Sequence, residues 1–342
     1  MDQDDHKKHM SEIKNQGSRA LRDTILKASD MGRPVTCLVY TLLLPWASNV
    51  AREFQIPCAL LWIQPAIVLD LYYYYFDGAF GDISSDSVRL LGLPHITFSK
   101  RDLPSFVSPS TSDMYGLVLQ AFKEQFDALD AETRPKVLVN TFNALEPDAL
   151  RAVQLYEIIG MGPLVDADDR PSLEKAQMEE IARGLLGSGR PFLWVARESV
   201  GWVEELVREQ GKIVGWCPQM EVLGHGSVGC FVTHCGWNST LESLWCGVPV
   251  VGLPVWSDQG TNAKMIEEEW GTGLRVGPGE DGKVSGEEIT RCIERVMEGG
   301  EKMRENAGRW KGLAREAVAE NGSSYRNFKA FFKELEMGHL SD

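Results

Sequence analysis

Short apolar runs recur along this chain and alternate with amphipathic segments, and this alternation limits the possible folds more than any other feature. A strand that is apolar along its whole length must be covered on both faces, as in a parallel sheet packed between helices. The sequence therefore predicts an α/β protein built on doubly wound parallel sheets. The apolar runs span residues 35–42, 58–63, 136–142, 192–196, 212–216, 229–233 and 248–254.

The helical segments and a linker suggest how the chain is divided. In AQMEEIARGLL, the side chains of Met178, Ile181 and Leu185 recur at helical spacing, with charged residues between them. A further helical pair is expected from about Glu301 to Leu335, interrupted by ENGSS. The polar stretch 166–175, DADDRPSLEK, is the best candidate for a linker, and 342 residues suffice for two domains.

Composition excludes several classes of protein. The 35 basic and 49 acidic residues give a net charge of −14, which argues against a nucleic-acid partner. The first ten residues are hydrophilic, so no signal peptide is expected, and the longest apolar run (37–47) is too short to span a bilayer. The seven cysteines form no regular framework. We therefore expect a cytoplasmic protein with reduced thiols and no membrane partner.

The segment GHGSVG at 224–229 matches the dinucleotide-binding pattern G-x-G-x-x-G. That fingerprint must follow a strand and open a helix, whereas this segment follows a helical stretch and leads into a strand. We interpret its glycines as a tight turn between helix and strand.

The segment FVTHCGWNST at 231–240 has the right context for a ligand. His234 ends a strand, Gly236 permits a close turn, and residues 238–240 open the next helix. Free N–H groups and the helix dipole favour an anion there, and His234 can add a donor to a phosphate. The spacing of Ser239 and Glu242 equally fits a capping box, S-x-x-E, in which the polar residues only terminate the helix.

Polar residues also follow the neighbouring strands. Asp258 and Gln259 come after 248–254, where an acid and an amide suit the vicinal hydroxyls of a sugar. Trp216 and Gln219 follow 212–216 and offer a flat face and a polar edge to a base. Each has a plain structural alternative, such as core packing for Trp216 or helix capping for Asp258. Together they predict a nucleotide-sugar site at the carboxyl ends of the strands.

The stretch from Trp216 to Gln259, WCPQMEVLGHGSVGCFVTHCGWNSTLESLWCGVPVVGLPVWSDQ, closely resembles the signature box of plant family 1 UDP-dependent glycosyltransferases. The resemblance implies UDP-glucose as donor and a role for each matching position. The uracil would be held by Trp216 and Gln219, and the ribose hydroxyls by Glu242. The diphosphate would contact His234, Asn238 and Ser239, and the sugar would face Trp237, Asp258 and Gln259.

The resemblance extends beyond this box. The segment from Pro34 to Phe76 looks like the acceptor side of the subgroup containing anthocyanin 5-O-glucosyltransferases. It implies two Rossmann-like domains of the GT-B type, both incomplete here, with boundaries at 1–160 and 161–325. A final helix at 326–342 would pack back on the first domain. Trp62, Gln64 and Tyr72–Tyr75 could line an acceptor pocket, although core packing is the favoured interpretation.

Three features depart from the family pattern. Family members open with a strand and a loop that carries the catalytic histidine, whereas only His6 and His9 occur near this start, in a charged segment. Thr41 stands where many relatives carry the aspartate that orients this histidine. No apolar run between 165 and 175 could form the first, central strand of the second domain, so the two halves of its sheet would lack a shared neighbour.

Two functions follow from the sequence. The first is an inverting enzyme that transfers glucose from UDP-glucose to a hydroxyl or carboxyl of a small plant metabolite, such as a flavonoid or anthocyanin. It would act as a monomer. No metal is expected, because Cys230, His234 and Cys235 match no zinc pattern. The second is a truncated, catalytically silent relative, or an incomplete gene model, that binds at most the UDP-sugar. No catalytic residue is assigned for either.

Overall fold

The structure is a computed structural model that describes residues 3–79, 87–107, 116–164, 175–196, 209–279 and 283–338. The chain divides into unit 1, residues 1–164 with 316–342, and unit 2, residues 165–315. Residues 166–174 of the expected linker and the last four residues of the expected final helix lie outside the described residues. Both units are α/β, as the apolar runs predicted.

Unit 1 contains a four-stranded parallel sheet. Its strands are β1 (Leu38–Thr41), β2 (Cys58–Trp62), β5 (Lys136–Val139) and β6 (Glu157–Gly160), in the order β1-β2-β5-β6. An antiparallel hairpin, β3 (Ser87–Leu90) and β4 (Leu93–Ser99), forms a second sheet. The sequence predicted β1, β2 and β5, but it missed the hairpin and β6. The helices are α1 (Gln3–Asp30), α2 (Trp46–Glu53), α3 (Ala66–Phe76), α4 (Gly116–Asp130) and α5 (Ala149–Ala152), with 3-10 turns at Lys100–Asp102 and Ser105–Val107.

An aromatic cluster fills the space between this sheet and its helices. Trp62 is fully buried, and its indole N–H donates to the carbonyl oxygen of Pro65 at 3.0 Å. Its ring lies edge-on to Tyr72 at 6.2 Å and to Phe122 at 6.0 Å. Because Tyr72 is also fully buried and Gln64 is nearly so, these residues belong to the core, and the acceptor-pocket alternative is wrong for Trp62 and Tyr72.

The final helix, α12 (Ser323–Glu336), packs on the face of this sheet. Phe331 is buried against Ala59 and Leu138. At one end of the sheet, the buried ammonium of Lys136 lies 2.5 Å from Glu157 and 2.7 Å from Glu334 of α12. An apolar contact and an ion-paired contact thus hold α12 against the sheet of unit 1.

Replacing Lys136 with methionine should loosen α12. The variant keeps the length of the side chain but leaves the carboxylates of Glu157 and Glu334 without their cation. Since both carboxylates remain more than one third exposed, we expect the free energy of unfolding to fall by only about 1–2 kcal/mol. Urea unfolding measures this loss. Lys123→Met, which removes an exposed ion pair with Asp127 in the same unit, should stay within about 0.5 kcal/mol of the parent; equal losses would contradict the anchoring role.

The strands of unit 2 form two separate sheets among the described residues. One pairs β7 (Phe192–Val195) with β8 (Gly211–Val214), and the other has the order β11-β10-β9. The latter strands are β9 (Phe231–Thr233), β10 (Val250–Gly252) and β11 (Gly273–Arg275), and every pairing is parallel. The sequence predicted β7 to β10. Residues 166–174, where it predicted no central strand, lie outside the described residues.

Helices pack against the apolar side chains of the sheets in unit 2. The predicted helix is α6 (Lys175–Gly187), whose Ile181 and Leu185 pack with Val251 of β10 and Ile289 of α10 (Gly286–Glu298). The expected pair at the chain end is α11 (Glu301–Val318) and α12. The remaining helices are α7 (Gln219–Leu223), α8 (Trp237–Cys246) and α9 (Gln259–Lys264), which continues as a π-helix over Met265–Glu269.

The state of the cysteines and the character of the helices relate to two expectations from composition: reduced thiols and no membrane-spanning segment. All seven cysteines are free, and four of them are buried. Within the described part of the chain, no helix has the length and apolar character that crossing a membrane requires.

Candidate functional site

Two neighbouring strands of unit 2 end side by side and place their polar successors at one edge of the sheet. Thr233 at the end of β9 is aligned with Gly252 at the end of β10. The N–H of Leu253 donates to the carbonyl oxygen of Thr233 at 2.8 Å, which keeps the two exits together. The segment that begins at His234 and the segment that leads to Asp258 therefore leave the sheet next to one another, as the sequence predicted.

Two residues constrain the loop between β9 and α8. Cys235 is fully buried and has a φ of 62°, a left-handed conformation that costs a side-chain-bearing residue energy. A Cβ on Gly236 would lie 2.4 Å from Nε2 of His234, so only glycine fits beside this imidazole. The loop thereby sets His234 beside the first turn of α8.

The start of α8 is open. The helix begins at Trp237, its N-cap is Gly236, and no side chain caps it. Ser239 is the third helical residue, so the capping box proposed for Ser239 and Glu242 is wrong: Ser239 lies too far into the helix to act as its N-cap. The positive end of the helix dipole at this start favours an anion.

The segment after β8 contacts α8, although β8 and β9, the strand that precedes α8, belong to different sheets. The side-chain amide of Gln219 donates to the hydroxyl of Ser239 at 3.2 Å and to the carboxylate of Glu242. Glu242 is 3% exposed, so this bond satisfies a buried carboxylate. The indole of Trp216 is 64% exposed, and its interpretation as core packing is therefore wrong. An open aromatic face thus lies on the segment joined to the start of α8.

Asp258 and Gln259 are buried and organise the turn after β10. The amide oxygen of Gln259 accepts N–H bonds from Val255 and Trp256 at 2.8 and 3.0 Å, which fixes the side chain against the turn. Asp258 stands at the N-cap position of α9 but makes no capping bond with its side chain. Its carboxylate instead accepts a bond from the side-chain amide of Asn262 at 2.8 Å.

Trp237 and Asn238, the predicted contacts for the sugar and the diphosphate, differ in exposure. The indole of Trp237 is 4% exposed and packs 6.0 Å from the ring of Trp270, so it lies in the core of unit 2. Asn238 follows it in the first turn of α8 and is partly exposed. Their contacts with the sugar and the diphosphate stay predictions.

Sequence reasoning missed two residues that shape the site. Asn262 follows Asp258 by four residues on the same helix, and that spacing is a recognisable signal for a side-chain contact. The left-handed conformation of Cys235 has no such signal, because it results from contacts with residues far along the chain.

The structure places Thr41, His6 and His9 in unit 1. The hydroxyl of Thr41 donates to the carbonyl oxygen of Leu61 at 3.4 Å, while His6 and His9 lie in α1. Among the described residues, no three acidic, histidine or cysteine side chains come together as metal ligands. The site described here therefore lies entirely in unit 2.

Sequence comparison places this site in a known context. The profile of the family described as "UDP-glucoronosyl and UDP-glucosyl transferase" matches residues 167–316. The crocetin glucosyltransferase (chloroplastic) of Gardenia jasminoides is 50% identical over 99% of this chain and 84% of the relative. That alignment runs over 398 residues, more than the 342 of this chain, so the relative has segments without a counterpart here. The anthocyanidin 3-O-glucoside 5-O-glucosyltransferase 1 of Perilla frutescens is 47% identical over 97% of this chain and 83% of the relative.

Solved structures share the fold. Os79 from O. sativa, determined in complex with UDP, matches with a TM-score of 0.86 and 30% identity over 96% of this chain and 84% of that chain. A UDP-glucosyltransferase from Polygonum tinctorium capable of glucosylating indoxyl matches with a TM-score of 0.81 and 30% identity over 95% and 81% of the two chains.

Proposed function

Since the chain belongs to the family of UDP-glycosyltransferases, we propose that it binds UDP-glucose in unit 2 and transfers the glucose to a small plant metabolite. The acceptor group would be a hydroxyl or carboxyl, as on a flavonoid or anthocyanin. The relatives named above act on crocetin and on an anthocyanidin glucoside, and both are glucosyltransferases. A monomeric, cytoplasmic protein stays the prediction from the sequence, although the Gardenia relative is named as chloroplastic.

One contact supports this proposal above all others. Gln219 bonds to Ser239 and Glu242 and thereby joins the segment of Trp216 to the start of α8. A nucleoside diphosphate requires binding groups for its base, its ribose and its diphosphate in succession. The bonds of Gln219 hold the segment of Trp216, which follows one sheet, next to the start of α8, which follows the other.

The proposed roles follow the order of the donor molecule. The uracil stacks on the exposed face of Trp216, and Gln219 and Glu242 face the nucleoside. The diphosphate lies at the open start of α8, near His234, Asn238 and Ser239. The glucose lies beyond it, towards the turn formed by Trp237, Asp258 and Gln259.

The proposed reaction is a single displacement with inversion. The acceptor oxygen forms a bond to C1 of glucose while the bond between C1 and the diphosphate oxygen breaks, and UDP leaves with the electron pair. The acceptor proton passes to a base, for which no residue of this chain is assigned. The helix N-terminus and His234 stabilise the charge that develops on UDP, and the step needs no metal.

A second candidate function is nucleotide-sugar binding without transfer. It is favoured by the separation of β7–β8 from β9–β11 among the described residues, because backbone donors of a central strand would otherwise line the diphosphate. Both functions require UDP binding, and only the first releases a glucosylated acceptor.

Calorimetric titration of the purified chain with UDP tests the shared step. Glu242→Ala should weaken UDP binding about tenfold, because it removes a buried carboxylate and frees Gln219. Glu242→Gln, which keeps the shape, should retain part of the affinity. A folded parent chain that shows no binding would refute both candidate functions.

Product analysis then separates the two candidates. Incubation with UDP-glucose and a flavonoid panel should yield glucosides if the chain is a transferase. Binding of UDP without any glucoside would favour the silent relative.

A further inference from the structure

Asn262 lies at the centre of the site in unit 2 but has no role assigned so far. It is fully buried in α9. Its side-chain amide donates one bond to the carbonyl oxygen of Cys235 and another to the carboxylate of Asp258, both at 2.8 Å. One amide therefore connects the loop after β9 with the turn after β10.

The loop that Asn262 contacts is the strained part of the site. Cys235 holds a φ of 62°, and its own N–H reaches only the hydroxyl of Thr233, at 3.4 Å. Its sulfur would lie 2.7 Å from a Cβ on Gly252, so the thiol is wedged beneath β10. Because a left-handed residue persists only where its surroundings determine it, a strong bond to its carbonyl is a main source of that constraint.

The consequence reaches His234 and the start of α8. These groups flank Cys235 on either side, so a rotation of the Cys235 peptide would turn both. Asp258 is tied to the same amide and would lose its orientation at the same time. Both proposed ligand regions, the diphosphate and the glucose, thus depend on one side chain.

We propose that Asn262 is a positioning residue that holds the His234–Gly236 loop and the Asp258 carboxylate in register for the donor. The proposal rests on the proposed function for its ligand, but the position of the loop can be measured without any ligand. It assigns Asn262 no contact with the reacting atoms.

The experiment compares Asn262→Ala with Asn306→Ala in the full chain. Asn306 also lies in unit 2, and its amide donates to the carbonyl oxygen of Gly271 at 3.0 Å, a bond that involves neither the His234–Gly236 loop nor Asp258. Both variants lose an asparagine–carbonyl bond, so both should lower the midpoint of thermal unfolding. Calorimetry measures the affinities for UDP and UDP-glucose. Thiol labelling followed by mass spectrometry measures the reactivity of Cys235.

For Asn262→Ala we expect about tenfold weaker binding of UDP, the size of effect of losing one bond that fixes a binding loop. UDP-glucose should lose more, since Asp258 is released as well. Cys235, which is fully buried in the parent, should become reactive under native conditions. Asn306→Ala should leave both affinities and the protection of Cys235 unchanged.

Two results would overturn the proposal. Unchanged UDP affinity in Asn262→Ala would show that the loop does not depend on this residue. Equal effects of the two substitutions would reduce its role to stability alone. If the parent chain bound no UDP, the proposed function would fail, and labelling of Cys235 would still decide the positioning role.

Discussion

Replacing Gly236 with alanine is expected to weaken UDP binding about tenfold, because the substitution displaces a group that flanks the proposed diphosphate position and costs about one hydrogen bond. The backbone of Gly236 has φ −58° and ψ 148°, which alanine adopts without strain. The effect arises instead from the new Cβ, which would lie 2.4 Å from Nε2 of His234. The imidazole or the start of α8 must move, and both flank the proposed diphosphate position.

A glycine elsewhere in unit 2 provides the control. Gly308 lies in α11, and a Cβ there would meet no atom within 4 Å. Gly308→Ala should therefore leave UDP affinity unchanged and raise helix stability by up to about 1 kcal/mol. Calorimetric titration of both variants measures the affinities, and circular dichroism verifies their folding. If Gly236→Ala bound UDP as tightly as the parent, the diphosphate would not lie at this loop.

Replacing Asp70 with asparagine is expected to stabilise unit 1 and to remove much of the pH dependence of its stability. Asp70 lies in α3 with no exposed surface, and neither of its oxygens has a hydrogen-bond partner among the described residues. Burial, with the nearby Glu146 carboxyl as a second cause, raises the pKa of Asp70 well above its usual value. Burial raises the pKa of Glu146 as well, but its carboxyl accepts the N–H groups of Ala66 and Ile67 at the start of α3, which oppose that rise.

The sign of this effect follows from the raised pKa. The folded chain keeps the proton on Asp70, whereas the unfolded chain releases it above a pKa of about 3.9. The unfolded state therefore binds fewer protons, and the free energy of unfolding falls by about 1.4 kcal/mol per pH unit between the unfolded and the folded pKa. Asparagine cannot ionise, so this loss disappears, and the difference between variant and parent should grow as the pH rises.

Urea unfolding at several pH values between about 5 and 8, all of them above the unfolded pKa of Asp70, measures the slope. Asp77→Asn is the matched control, because Asp77 caps the same helix and is exposed. It should leave the slope of the parent unchanged. A parent chain whose stability does not fall over this range would show that Asp70 ionises in the folded state without cost.

Much of the fold could be predicted from local pattern. The apolar runs identified seven strands correctly because a buried parallel strand needs an unbroken apolar segment, and that requirement is visible in the sequence. Strands β6 and β11 and the β3–β4 hairpin escaped because polar residues, glycine or proline interrupt their apolar patterns. Their pairing depends on neighbours that are distant in the chain.

The sequence by itself determined the α/β class, the family of the chain and the edge at which the polar residues of the site gather. It did so because strand apolarity, helix periodicity and the order of motif residues are local properties. Only the tertiary structure decided that Ser239 does not cap α8, that Trp62 and Tyr72 belong to the core, and that Asn262 joins two loops. Each of these outcomes depends on contacts between residues separated in sequence, such as the bond from Gln219 to Glu242, which packing alone brings together.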